Sequence, residues 1–270
     1  MANKYLGRED APFGDSLWAM LDATMVESAK SQLTGRRLLH IEGPYGLGLK
    51  TISVQDDVVA QGAEGRPELA ASSAIPLALI RTTFTLAARD LASFERDGVA
   101  PELGKIAQAA MACARLEDEL VFNGSKALGV RGLLTAAGNR ADLSSWAKAG
   151  DAAADVIRAL TTLDDSGFHG PYTLALAPSR YNLLFRRYAQ GHQTEMQHLS
   201  NMVTEGIFKA PILKEGGVLL ASGRAFASIA LGQDMTLGFV GPSGGDLEFS
   251  ISESLALRIR ELKSICVLQG

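Results

Sequence analysis

"LTGRRLLHIEGPYG", residues 33–46, sets two arginines ahead of a short apolar run, then glycines at 43 and 46 around Pro44 and Tyr45. Glycine-rich turns after apolar runs often cradle phosphates, so nucleotide binding is the first reading to test. The spacing argues against it. A dinucleotide fingerprint needs G-x-G-x-x-G between a strand and a helix, with an acid about 20 residues on. Here Gly43, Gly46 and Gly48 are spaced differently, Pro44 intrudes, and the following "LKTISV" is strand-like. No G-K-[ST] occurs, so a Walker loop is absent as well. The stretch reads as architecture: Pro44 fixes φ, while Gly43 and Gly46 admit backbone angles that other residues avoid. A second "GPY", at 170–172, also reads as a turn feeding a strand.

On its N-terminal side lies "GDSLWAMLDATMVESAKSQLTG", where Leu17, Leu21, Met25, Ala29 and Leu33 recur every four residues. That spacing predicts an amphipathic helix, capped by Asp15 or Ser16 and ended by Gly35. On its C-terminal side, residues 50–75 alternate loosely around the turn cluster "GAEGRPE" and predict a long hairpin-like extension returning into a strand at 77–86. Such an extension is poorly stable alone and needs something to lie on. "PELGKIAQAAMACARLEDELVFNG" predicts a long helix over 103–123, with Ile106, Ala109, Ala110, Cys113, Leu116 and Leu120 as its buried stripe. Glu117, Asp118 and Glu119 crowd its C-terminal end, where negative charge opposes the helix dipole, so a basic partner from elsewhere should answer them. Further on, helices are expected in "DAAADVIRALTTLDDSG", in "PSRYNLLFRRYAQGH" and over 194–204, with a buried strand in "PYTLALA". After these, "VLLASG", "FASIALGQDMTLGFVG" and "DLEFSISESLALRIRELKSICVL" read as strands, the last with clean alternation at Leu247, Phe249 and Ile251 and again at Leu255, Leu257 and Ile259. The fold class is α+β with an intervening α/β portion.

The 270 residues suit one large domain or two modest ones, and 47% hydrophobic with 21% charged residues is a globular mix. A net charge of −4 lends no electrostatic support to nucleic-acid binding. The two cysteines, Cys113 and Cys266, sit in apolar contexts outside any metal or redox spacing and read as buried free thiols. No apolar targeting segment is seen at the start, and no run reaches the roughly 18 residues of a spanning helix. A cytoplasmic protein is expected.

Catalytic patterns are absent. There is no G-x-S-x-G elbow, and the acids of "LEDEL" point different ways on a helix. His192, Glu195 and His198 recur every three residues; on a helix they would share a face and could hold a metal, and on a solvated loop they would not.

The order of motifs resembles the encapsulin shell proteins, also called linocin-like proteins. The stretches that carry the resemblance are "LTGRRLLHIEGPYG", "IPLALIRTTFTL", "LEDELVFNGSKALGVRGLL", "GPYTLALAPSRY" and "LGQDMTLGF", spread from residue 33 to 240. The resemblance implies the HK97-like fold of tailed-phage capsid proteins. The N-terminal helix and the start of a peripheral domain would occupy 1–49, and an extended loop 50–75. The peripheral domain with its spine helix would follow at 76–134, the axial domain at 135–225, and C-terminal strands of the peripheral domain at 226–270. It implies a self-assembling icosahedral shell, without catalysis of its own, around a cargo enzyme such as a ferritin-like iron oxidase or a dye-decolorising peroxidase. Iron storage or oxidative-stress defence is the implied physiology. A phage-derived capsid protein without native cargo, or a linocin-like protease, are the alternatives within the same resemblance.

In this family, cargo carries a C-terminal peptide that docks between the N-terminal helix and the peripheral domain. Carried over residue by residue, Met25, Leu33, Leu38 and Leu237 would form the apolar groove wall, Arg36 would pair with polar groups of the peptide, and His40 stands at a position that is acidic in some relatives. The axial-domain loop of Ala189, Gln190, Gly191, His192, Gln193 and Thr194 would line fivefold pores. Some relatives stack a flavin on a tryptophan just after the "TFTL" strand; Arg89 stands there in this chain and is a poorer platform, so no cofactor is expected.

Overall fold

The computed structural model describes residues 4–60, 69–189 and 191–270. Two short 3-10 turns, Lys4–Leu6 and Arg8–Asp10, lead into α1 (Asp15–Lys30). Leu17, Leu21, Met25 and Ala29 of α1 form the expected buried stripe. The helix ends differently from the expectation. It is preceded by Gly14, with Asp15 and Lys30 placed to suit the dipole at either end, and it stops at Lys30. Gly35 instead opens a separate single turn, α2 (Gly35–Leu38), because the backbone N–H groups of Thr34 and Gly35 are captured by the Asp118 carboxylate.

After α2 the chain forms β1 (His40–Glu42) and then the hairpin of β2 (Thr51–Ala60) and β3 (Leu69–Pro76). That hairpin is a two-stranded sheet on its own, in the place of the expected extension; residues 61–68 of it lie outside the described residues. There follow β4 (Ala78–Leu86), α3 (Ala88–Asp97) and the 20-residue α4 (Gly104–Asn123). The α4 stripe is rotated slightly from its sequence reading. Ile106, Ala110, Cys113 and Leu120 are buried as expected, but Leu116 is 53% exposed and Glu117 is fully buried. Glu117 turns inward because its charge is answered there.

A small ribbon, β5 (Gly124–Ser125) with β6 (Val130–Arg131), and the turn α5 (Leu133–Ala136) lead to the second lobe. It contains β7 (Asn139–Asp142), α6 (Asp151–Asp165), β8 (Tyr172–Leu176), α7 (Pro178–Leu183), α8 (Glu195–Leu199), β9 (Ile207–Lys209) and β10 (Gly217–Ala221). Only five residues of the helix expected over 194–204 are helical. The chain ends in two long strands, β11 (Ala227–Ser243) and β12 (Asp246–Ile259), and a final β13 (Ile265–Gln269).

Two main sheets result. The first is ordered β1-β11-β12-β4, with β1 parallel to β11 and the rest antiparallel. The second is ordered β7-β13-β10-β8-β9. The C-terminal strand therefore departs from the expected grouping of 226–270. A turn at Leu262–Ser264 breaks the final run, and β13 leaves β12 to pair with β10 and β7 in the other sheet.

The second sheet is buried on both faces. Ala175, Val218, Leu220 and Ile265 join the core that holds α1, α4 and the first sheet, whereas Leu174, Leu219, Cys266 and Leu268 join the core under α6. Strand side chains alternate between faces, so a strand buried twice reads as an unbroken apolar run, as "PYTLALA" does. The first core is centred on Phe249, which has Phe13, Trp18, Phe84 and Phe239 at ring-centroid distances of 5.9, 6.0, 5.6 and 5.7 Å. Both cysteines are buried and unpaired, and burial pushes each thiol up to about 11. Among the described residues no helix is long and apolar enough to cross a membrane.

Candidate functional site: the arginine junction and the trough beside it

The opening motif sits where α1, α4, β11 and β12 meet. Asp118 on α4 accepts three hydrogen bonds, two from Thr34 N (3.1 and 2.9 Å) and one from Gly35 N (2.9 Å). Burial pushes its carboxyl up to about 6, against the pull of those backbone donors. A Cβ on Gly35 would stand 2.9 Å from Val121 Cγ1, so this position lets α2 approach α4 closely.

With α2 pinned, Arg36 reaches inward. Its Nε donates to Glu117 Oε1 at 2.8 Å, and Nη2 donates to Glu117 Oε2 at 2.7 Å and to Glu253 Oε2 at 2.9 Å. Nη1 donates to Asp234 Oδ1 at 2.6 Å. Glu117 and Glu253 have fully buried side chains, whereas Asp234 is 54% exposed. Burial alone would lower the Arg36 pKa, but Glu117 first, then Asp234, hold it above its ordinary value. Glu253 is pushed up to about 9 by burial and then by the neighbouring Glu117 charge. Its Oε1 is buried with no hydrogen-bond partner among the described residues.

Asp234 also forms part of the rim of an open trough of about 860 Å³. One wall is the N-terminal segment 4–10, and the other is the glycine turn from Pro44 to Gly48 together with residues 232–236 of β11. Tyr5, Leu6, Pro44 and Leu47 supply apolar surface, and Lys4, Arg8, Glu9 and Asp10 supply charges of both signs. Gly43 and Gly46 hold φ of +103° and +104°, as the sequence reading required of the turn.

The expected groove residues divide three ways. Met25, Leu33, Leu38 and Leu237 come together in one buried cluster, each no more than 7% exposed, so they are core rather than an open wall. Arg36 is turned inward to the acids. His40 lies at a different cavity, with Arg37 and Arg224. Sequence reasoning missed Tyr5, Leu6 and Leu47. The available signal was the glycine turn itself, since nothing lies within 4 Å of a Cβ built on Gly46 or Gly48 and the turn is open there.

The loop expected at pores runs over 189–194; Gln190 lies outside the described residues, and Ala189, Gly191, His192 and Gln193 are exposed. Thr194 closes it by capping α8, its Oγ1 accepting from Gln197 N at 3.2 Å. His192, Glu195 and His198 do not converge. Glu195 is buried and accepts from Gly150 N at 2.7 Å, and His198 Nδ1 pairs with Tyr188 Oη at 2.8 Å. Among the described residues no group of three His, Cys, Asp or Glu side chains is placed to hold a metal. Arg89 is exposed in the first turn of α3.

Comparison with known proteins finds similarity along most of the chain. A family model described as an encapsulating protein for peroxidase (Linocin_M18) matches residues 3–256. A type 1 encapsulin shell protein of Myxococcus xanthus is 30% identical, over 98% of this chain and 96% of the relative. A diheme-cytochrome–encapsulin shell fusion protein of Kuenenia stuttgartiensis is 29% identical, over 93% of this chain and 72% of the relative. Among solved structures, a virus-like particle of Pyrococcus furiosus superposes with a TM-score of 0.73 at 22% identity, over 94% of this chain and 100% of that one. The capsid of Myoviridae phage XM1 superposes with a TM-score of 0.60 at 12% identity, covering 86% and 89%. The architecture is that of the HK97-like phage capsids.

Proposed function

The chain belongs to the encapsulin, or linocin-type, family of shell proteins, and we propose that it closes into an icosahedral compartment that takes up a cargo enzyme. The observation that carries the reading is the β2–β3 hairpin. Among the described residues it pairs with itself alone in a two-stranded sheet, and it is tied at its base by Arg258 Nη2 donating to Ser53 O at 3.1 Å. A two-stranded ribbon gains its stability by lying on other surface. In a shell, that surface is a neighbouring copy, and repeated heterologous contacts of this kind close into a symmetric particle.

A peroxidase is the first cargo to test, by the description of the family, with a ferritin-like iron oxidase as the other. The compartment would then serve oxidative-stress defence or iron storage in the bacterial cytoplasm. The cargo's C-terminal peptide docks in the trough between segment 4–10 and the glycine turn, with its apolar side chains against Tyr5 and Leu47 and its polar groups toward Asp234. The exposure of Tyr5 and Asp234, against the burial of Met25, Leu33, Leu38 and Leu237, supports this position for the dock. The loop over 189–194 borders a pore. The exposed Arg89 does not supply a flavin platform, and the subunit itself performs no catalysis.

Electron microscopy of the purified protein, alone and co-expressed with a peroxidase bearing a C-terminal tail, tests both parts. Closed particles that retain the tailed enzyme and lose it with Leu47→Asp are expected. Monomers under all conditions would overturn the shell reading. Empty particles that ignore the tailed enzyme would overturn the dock alone.

A further inference from the structure

A second cavity, of about 360 Å³, lies on the seam between the two lobes. The end of α2 and the start of β1 form one side; Pro171, Glu205 and the turn at Ser222–Arg224 form the other. Binding cavities favour such seams, where two rigid units meet around a concave surface. Arg37, His40 and Arg224 line it, with Glu205 as the one lining acid among the described residues. Beside it, Arg224, Arg258 and Arg260 converge on the single carboxylate of Glu42, at 3.7, 3.8 and 2.8 Å. Four arginines thus stand against two carboxylates, in a chain whose net charge is −4.

Glu42 does not absorb that surplus. It accepts from Ser228 Oγ at 2.6 Å and from Arg260 Nη2 at 2.8 Å, and these bonds hold it below the usual carboxylate range although burial would raise it. Arg224 makes no side-chain hydrogen bond among the described residues, yet its backbone is fixed by Arg260 Nη1 donating to its carbonyl at 2.8 Å. Arg37 is held too: Nε donates to Leu33 O at 3.1 Å, and the guanidinium sits 5.2 Å from the Phe208 ring centroid. Ser222 completes the set. Its backbone N donates to Pro171 O at 2.7 Å, while its Oγ is buried with no partner among the described residues. Buried hydroxyls are nearly always partnered, so an unpartnered one marks a place for an acceptor.

We propose that this seam cavity binds a small tetrahedral oxyanion, a phosphate group, between the guanidinium groups of Arg37 and Arg224 and the Ser222 hydroxyl. The planar fork of arginine matches two phosphate oxygens, and holding the Arg37 fork beforehand lowers the cost of binding. Glu205 adds selectivity. A carboxylate accepts a hydrogen bond from an anion that keeps a proton, as hydrogen phosphate does, and repels sulfate, which has none to give. Since the walls come from both lobes, the bound anion would also brace the angle between them.

Calorimetric titration of inorganic phosphate into the assembled protein, prepared in phosphate-free buffer, tests the site. One phosphate per subunit is expected, with sulfate weaker and the difference narrowed by Glu205→Gln. Arg224→Ala, which removes an exposed side chain whose contact with Glu42 is a 3.7 Å ion pair, should weaken phosphate roughly tenfold or more, and Ser222→Ala less. Adenosine monophosphate in a parallel titration separates the sources: binding as tight as free phosphate points to a phosphate-bearing molecule, and exclusion points to the free ion. No phosphate binding to assembled particles, or binding that Arg224→Ala leaves unchanged, would overturn the proposal.

Discussion

Arg36 and Glu117 meet through two parallel hydrogen bonds, Nε to Oε1 at 2.8 Å and Nη2 to Oε2 at 2.7 Å, across 81 residues of chain. The pair joins the short turn after α1 to the C-terminal half of α4, and Arg36 is the cation that answers the two fully buried acids Glu117 and Glu253. Removing one partner of a buried ion pair leaves an uncompensated charge, which costs about 3–5 kcal/mol. Arg36→Met should therefore lower the thermal unfolding midpoint and the yield of closed particles. Arg36→Lys keeps the charge without the fork and should fall between. A variant with an unchanged midpoint that had lost only cargo uptake would show Arg36 to be a docking residue instead.

Glu253 makes this junction sensitive to pH. Its folded value, about 9, lies above the ordinary carboxylate value of 4.5. The folded state then holds a proton that the unfolded chain has given up, so stability falls as pH rises between those two values. Asp118, raised to about 6, acts in the same direction over a lower window. Above about pH 7 Asp118 has finished titrating, and the slope that remains belongs largely to Glu253. Glu253→Gln mimics the protonated acid. Thermal midpoints measured from about pH 7 to about pH 9 should fall for the natural chain and stay nearly level for the variant. Equal slopes would mean that Glu253 is already ionised in the folded protein.

How far such features could be read from sequence depends on whether they are periodic. The α1 stripe, the α4 stripe and the alternation at Leu247, Phe249 and Ile251 all follow from side-chain direction along one element. The basic partner expected for the acids on α4 is present as Arg36. Yet Glu253 stands in the core-facing phase of the same β12 alternation, between Ile251 and Leu255, and an acid at that position was the sign of a buried polar partner. Long-range choices were not visible. Nothing local tells β13 to leave β12 for a sheet whose other members lie far back in the chain. Likewise, apolar residues look the same in a sequence whether they wall a groove or fill a core, and Met25, Leu33, Leu38 and Leu237, carried over from the family resemblance, fill the core.

Phe249 holds that core across several elements. Its ring stacks on Phe84 of β4 at an interplanar angle of 13° and meets Trp18 of α1 edge-on at 77°. Truncating a fully buried phenylalanine costs about 3–5 kcal/mol, in lost transfer energy and in the cavity left behind. Phe249→Ala should unsettle α1 along with the sheet. Hydrogen exchange should show α1 and β4 losing protection together, whereas α6, on the other core, keeps its own. Uniform loss over both lobes would mean that the two cores unfold as one unit.

The glycine turn allows a paired test of why its glycines are there. Gly43 and Gly46 share nearly the same backbone angle, φ +103° and +104°. A Cβ on Gly43 would stand 2.5 Å from the carbonyl oxygen of Leu231, whereas one on Gly46 would meet nothing within 4 Å. Both alanine variants carry the conformational cost of a positive φ, roughly 1–3 kcal/mol. Only Gly43→Ala must also push the turn off β11, where Tyr45 N donates to Leu231 O at 3.0 Å. Gly43→Ala should therefore be the less stable of the two in thermal unfolding. Since the turn is one wall of the trough, it should also reduce uptake of a tailed cargo by particles that still close. Equal loss in both variants would assign the effect to backbone angle alone, and leave the approach to Leu231 without consequence.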